Sequence, residues 1–124
     1  MPKKEHELRR IRILFDSGAS ATIATADLVR TLKKRKTEPV TWHTKSGSFS
    51  TNEICPIRFM LPAFHTDKVV EWNAYVDAQY SSTKPKYDLI IGRDLMEEIE
   101  LDLRFSDMTM TWHGATIPMK IQNY

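Results

Sequence analysis

Ile11-Arg12-Ile13-Leu14-Phe15-Asp16-Ser17-Gly18-Ala19-Ser20 is the stretch on which the fold of this chain turns. Residues 10–15 are rich in β-branched and aromatic side chains and predict a strand. The strand ends on a carboxylate, Asp16, and Ser17-Gly18 breaks it at once. Taken alone, such a triplet reads as a type I or II turn behind a strand. With average residue usage, Asp-(Ser/Thr)-Gly arises by chance in roughly one chain in twenty of this size.

Asp16 is nonetheless a chemical candidate, because of what a pair of such groups can do. Two aspartates within hydrogen-bonding distance cannot both ionise cheaply and therefore share one proton. One then acts as base toward a water while the other donates to a carbonyl, which hydrolyses a peptide with neither metal nor cofactor. The arrangement needs each carboxylate fixed on a tight turn, beside a hydroxyl and small residues that allow close backbone approach. Asp16-Ser17-Gly18 supplies those residue types in that order, once in the chain.

The whole chain bounds the alternatives. Its 124 residues suit one domain, and an apolar fraction of 41% with 27% charged residues is ordinary for a globular protein. No apolar run approaches bilayer-spanning length. Residues 1–9 form a charged segment without the apolar stretch of a secretory signal, so an intracellular protein is expected. The single cysteine, Cys55, excludes an internal disulfide framework and reads as a small buried hydrophobe. The net charge is only +2. Basic clusters at Lys3-Lys4, Arg9-Arg10-Arg12 and Lys33 to Lys36 come without a recognised nucleic-acid-binding pattern, so nucleic-acid recognition is not expected. His6, His43, His65 and His113 lack metal-ligand spacing among themselves or with Cys55. A serine nucleophile at Ser17 or Ser20 would want a Gly-x-Ser-x-Gly elbow, which is absent.

Downstream of the triplet the pattern is mostly strand. Residues 21–24 resume as a short strand. Thr25 is a good N-cap for a helix to about Lys34, with Leu28, Val29 and Leu32 as its buried stripe. Beyond Pro39, residues 40–43 and 48–51 alternate around Thr44-Lys45-Ser46-Gly47, a hairpin with glycine at its tip. Strands follow at 57–61, where neighbouring Pro56 suggests an edge or a bulge, and at 69–76. Ser81 to Lys86 reads as a polar loop. Residues 87–91 form a buried-looking strand closed by Gly92, then a short helix runs from Asp94 to about Ile99. Residues 101–105 and 108–112 alternate as a second hairpin, and 116–119 as a last edge strand. Asp88 and Asp94 read as strand-end or N-cap carboxylates, and Trp42, Trp72 and Trp112 as sheet-packing residues. The sum is a mostly β domain with two short helices, a closed sheet or barrel.

Gly92 lies 76 residues beyond Asp16, within Tyr87-Asp88-Leu89-Ile90-Ile91-Gly92-Arg93-Asp94-Leu95. Combined with the leading strand-Asp-Ser-Gly-Ala and a glycine-tipped hairpin between, this resembles the retropepsin family of aspartic proteases. Within that family the chain is similar to the protease segment of gypsy-class LTR retrotransposon polyproteins, particularly those of algal genomes. There Tyr87 to Leu95 and Asp102-Leu103-Arg104-Phe105-Ser106-Asp107-Met108-Thr109-Met110-Thr111-Trp112 have close counterparts. The resemblance covers residues 10–119, which it makes the protease domain, with 120–124 as a tail.

The resemblance implies a closed acid-protease barrel and a symmetric homodimer, since the single triplet must find its second aspartate in a second copy. It implies Asp16 as the catalytic aspartate, Ser17 as the hydroxyl interlocking the two active-site loops, and Gly18 as the close-approach glycine. Ala19, Ser46, Gly47 and Ile90 would bind substrate, with residues 44–48 in a mobile flap. Ile91-Gly92-Arg93 would form the structural motif behind the catalytic turn. The implied substrate is a peptide or polyprotein, with no metal or cofactor, no membrane, and a cytoplasmic location that extends to virus-like particles.

Three departures stand against the family pattern. Where retroviral relatives carry an aspartate that pairs with the arginine after the second glycine, this chain has Ser20, so Arg93 needs another partner: Asp94 or an acid of the dimer mate. Only 15 residues precede Asp16, which leaves open a clipped start or an artificial boundary at Met1-Pro2. The longer tail, Leu101 to Trp112, points to a dimer stitched by a C-terminal hairpin. A second reading, a catalytically inactive or latent retropepsin-like dimerisation or binding module, stays open beside the enzyme, and an RNA-associated protein ranks last.

Overall fold

Alternating apolar residues sort this chain into strands, and a computed structural model describes residues 10–44, 47–77 and 87–119. In chain order the described elements are β1 (Ile13–Phe15), β2 (Ile23–Thr25), β3 (Arg35–Thr44), β4 (Gly47–Met60), β5 (Val69–Asp77), β6 (Leu89–Ile91), α1 (Arg93–Glu98), β7 (Asp102–Arg104), β8 (Thr109–Trp112) and β9 (Ala115–Pro118). One sheet runs β1-β6-β2-β5-β4-β3 and a second runs β7-β8-β9.

Period-two geometry gives the larger sheet two different faces. Leu89 and Ile91 on β6, Ala24 on β2, Ala74 and Val76 on β5 and Cys55 on β4 are all essentially inaccessible. They join Val29, Leu95 of α1, Leu101 and Trp112 in one core. The second sheet closes this core with Leu103, Met110 and Ile117, a cross-strand row packed against it. Its β8–β9 connection is a two-residue turn, with His113 at φ 47° and Gly114 at φ 79°. Both signs suit the type I′ turn that short hairpins prefer.

The mostly β composition follows the sequence pattern, but several boundaries differ. Residues 26–31 form successive turns, followed by a bend at 32, rather than the expected helix. Thr25 Oγ1 accepts from the Leu28 amide at 3.3 Å, as an N-cap would. Only Val29 of the expected stripe is fully buried, and Leu32 is 43% exposed. A segment this short needs a buried face to hold a helix, and Lys34 Nζ ties off the carbonyls of Val29 and Leu32, both at 2.9 Å. One helix, α1, is therefore present among the described residues.

The basic run Lys33 to Lys36, expected at a helix end, leads instead into β3. Pro39 lies inside that strand, at a register shift between Lys36 and Val40. It is tolerated because β3 is the sheet's outer strand. The stretches 48–51 and 57–61 merge into the single long strand β4. Pro56 there sits beyond the last β3–β4 pair, Arg35 with Ile54, and so occupies a local edge. The larger sheet is open, ending on β1 and β3, so the closed barrel is not formed among the described residues. Residues 1–9 and 120–124 and the loop 81–86 lie outside the described residues, as does Ser46. No helix of the described residues is long and apolar enough to cross a membrane.

Candidate active site

Asp16 leaves β1 where the chain must turn, and the turn is pinned from both sides. The Asp16 amide donates to Ile91 O at 2.9 Å, extending the parallel β1–β6 ladder by one bond. The Ala19 amide returns to Asp16 O at 3.1 Å, and the Gly18 amide donates to Asp16 Oδ1 at 2.9 Å. The carboxylate is thus oriented by its own turn, while among the described residues Oδ2 accepts nothing. A Cβ on Gly18 would sit 3.2 Å from Oδ1, a crowded approach. Asp16 is half-buried, Ser17 and Gly18 are exposed, and Ala19 is half-buried.

A second turn, 91–94, threads behind the first. The Arg93 amide donates to Ala19 O at 2.9 Å. Gly92 packs so closely on the Asp16 turn that a Cβ would meet Ala21 O at 2.5 Å and Ala19 O at 2.8 Å. Only glycine fits there. Thr22, fully buried, joins the two turns. Its amide donates to Asp94 Oδ2 at 3.1 Å, its hydroxyl donates to Asp94 Oδ1 at 2.7 Å, and Oγ1 accepts from the Gly92 amide at 3.1 Å.

Asp94 is therefore not the N-cap of α1. That position is Gly92, which has no side-chain cap bond, and Asp94 sits in the first turn. Asp88 does act at a strand end, where its Oδ2 accepts from the Arg12 amide at 2.9 Å. None of the ion pairs among the described residues involves Arg93, so Asp94 is not its salt-bridge partner. No cluster of metal-ligating side chains occurs among the described residues.

The other face of the sheet carries a feature the sequence reading did not single out. Strand register aligns Leu14, Ile90, Ile23, Tyr75 and Ile54 side by side across β1, β6, β2, β5 and β4. All five are half-buried. They form an apolar shelf that begins two residues before Asp16. Trp42 Nε1 donates to Thr51 Oγ1 at 2.9 Å, and the Trp42 ring meets Tyr75 edge-on at 5.0 Å. The β3–β4 hairpin thereby delivers an aromatic side chain to the shelf. Gly47 opens β4 opposite Thr44 at the hairpin's far end. The signal for the shelf was present as apolar residues on both parities of these strands, but the pairing that aligns them spans most of the chain.

No protein-family model matches the chain, and no curated protein matches it. Among solved structures it is similar to the retroviral protease-like domain of Ddi1 from Leishmania major, with a TM-score of 0.52 and 19% identity, over 90% of this chain and 81% of that one. Two interlocked turns, a long hairpin and a short helix on a mostly β scaffold thus belong to a retroviral protease-like fold.

Proposed function

We propose that the chain is an aspartic endopeptidase that acts as a homodimer, with Asp16 of each copy contributing half of one active site. The observation that carries this reading is the Asp16 turn itself: a carboxylate held by the Gly18 amide, braced from behind by Gly92 and Thr22, at the end of an apolar shelf. A lone carboxylate in that place would be a weak catalyst. Two of them about a two-fold axis share a proton and hold a water between them.

In the proposed mechanism the ionised carboxylate takes a proton from the water as its oxygen attacks the scissile carbonyl carbon. The protonated carboxyl of the other copy donates to the carbonyl oxygen. Collapse of the tetrahedral intermediate breaks the C–N bond as the amine leaves with a proton from the same pair. The shelf of Leu14, Ile23, Ile54, Tyr75 and Ile90 would seat apolar side chains of an extended peptide, under the β3–β4 hairpin. The resemblance of residues 87–95 and 102–112 to retrotransposon proteases supports a polyprotein as the substrate and the cytoplasm as its place of action.

The test is cleavage of a peptide library by the full chain and by Asp16→Asn. The variant should lose turnover by about a thousandfold or more while still dimerising. Undiminished turnover in Asp16→Asn contradicts the proposal. A wild-type dimer that cuts nothing over a broad pH range supports a dimerisation or binding module instead.

A further inference from the structure

Thr22 and Thr51 are the two buried polar side chains among the described residues. A hydroxyl taken out of water needs a partner there. Thr22 finds its partners in the turn behind Asp16. Thr51, 2% exposed on β4, has the indole of Trp42, whose Nε1 donates to its hydroxyl at 2.9 Å. That bond fixes the indole on the β3–β4 hairpin, where it meets the Tyr75 ring edge-on at 5.0 Å with 68° between the planes. Both residues are half-buried. The two rings make an aromatic corner beside Ile54, the register partner of Tyr75.

The corner stands at a set distance from Asp16. Asp16 follows β1, and the shelf crosses β6 and β2 before it reaches Tyr75 on β5. Strand spacing makes that crossing roughly 14 Å. An extended peptide lying across the strands advances about 3.3 Å per residue and turns alternate side chains to one face. Its second residue from the scissile bond then comes over Ile90 and Ile23, which are register partners, and its fourth reaches the corner.

We infer that Trp42 and Tyr75 are specificity-determining residues that select an aromatic side chain at the fourth residue from the scissile bond, with Thr51 as the positioning residue that holds the indole for it. A third ring enters the corner edge-to-face, the arrangement aromatic rings prefer, whereas alanine there leaves the corner unfilled. An indole already held by Thr51 need not be ordered on each binding. Each copy of a homodimer carries one corner, so the demand falls on both sides of the bond. The inference rests on the protease reading and adds a position and a side-chain class to it.

The probe is a peptide selected from a library by its binding to the full chain carrying Asp16→Asn. Each of its positions is remade as Phe and as Ala, and the Phe/Ala ratio is read as affinity for Asp16→Asn and as kcat/KM with the wild type. The ratio should reach about tenfold or more at one position toward each end and about twofold or less at the residues beside it, whose side chains face away from the shelf. In cleavage by the wild type those two positions should lie four residues from the cut bond. Trp42→Leu and Tyr75→Leu should each flatten the ratio, Thr51→Val should lower it, and Thr51→Ser, which keeps the oxygen, should preserve it. Each ratio is taken within one protein, so a general loss of activity cancels, whereas mere packing between hairpin and sheet would leave the ratio unmoved. Far-UV circular dichroism confirms that each variant is folded, and the Thr51 pair carries the test where an aromatic substitution unfolds the chain. A ratio near one at every position, a ratio that survives these substitutions, or a library without a binder overturns the inference. Affinity needs no turnover, so selective binding without cleavage contradicts the protease reading alone, and cleavage without selection contradicts this inference alone.

Discussion

Thr22 and Asp94, 72 residues apart, are joined by two hydrogen bonds, the hydroxyl of Thr22 to Oδ1 at 2.7 Å and its amide to Oδ2 at 3.1 Å. The same hydroxyl oxygen accepts from the Gly92 amide, and Asp94 Oδ1 also accepts from the Leu95 amide at 2.7 Å. One buried threonine therefore couples the Asp16 turn, the turn behind it and the start of α1. Its position fixes where Asp16 stands without touching it.

Thr22→Val keeps the shape and removes the hydroxyl, leaving the buried Gly92 amide without an acceptor. The expected loss is about 1–3 kcal/mol. Thr22→Ser keeps the oxygen and should cost less. Urea denaturation of both variants checks the order, and equal stabilities for Val and Ser would show that the hydroxyl network contributes nothing.

Gly92→Ala places a methyl 2.5 Å from a backbone carbonyl that has no room to retreat. The expected destabilisation is about 3 kcal/mol or more. Gly18→Ala meets only the tip of Asp16 at 3.2 Å. It should leave stability nearly unchanged and lower cleavage by displacing the carboxylate. Paired denaturation and cleavage assays read both effects, and the reverse ordering of the two stabilities would contradict this packing.

The two glycines also mark how far the sequence could be read. Asp16-Ser17-Gly18 and Ile91-Gly92-Arg93 were legible because each turn is written in adjacent residues, and the mostly β, retroviral protease-like fold they imply is present, though without the closed barrel. Thr22 was not singled out, because its partners lie 70 and 72 residues away and nothing local marks it. The helix expected after Thr25 had a cap and a periodic stripe but no surface on which to bury Leu32. Pro39 looked like the boundary between a helix and a strand, whereas it lies inside the outer strand β3 at a register shift, and Pro56, read as an edge or a bulge, does lie at a local edge of β4. Closure into a barrel depends on which strands meet at the edges, and period-two patterning is silent on that.

Cys55 is sealed in the core, with its thiol donating to Lys33 O at 3.6 Å and Pro56 O at 3.5 Å. Burial pushes the thiol pKa up, an effect that nearby Lys34 opposes and Glu53 reinforces. Because the folded chain holds this proton more tightly, stability should be insensitive to Cys55 below the ordinary thiol range and should fall as pH rises through it. Native protein should resist iodoacetamide at pH 8 and react fully once unfolded. Rapid native labelling would contradict the burial.

The central claim is that one active site is built from two copies of Asp16, and mixing tests it most directly. Wild type and Asp16→Asn are combined at constant total chain, unfolded and refolded together, at a concentration where dimers predominate. If every active site needs two intact aspartates, an equal mixture retains about one quarter of the wild-type cleavage rate, because only a quarter of randomly formed dimers hold both. A residual rate of about one half would contradict the account, since it would mean that each chain works alone.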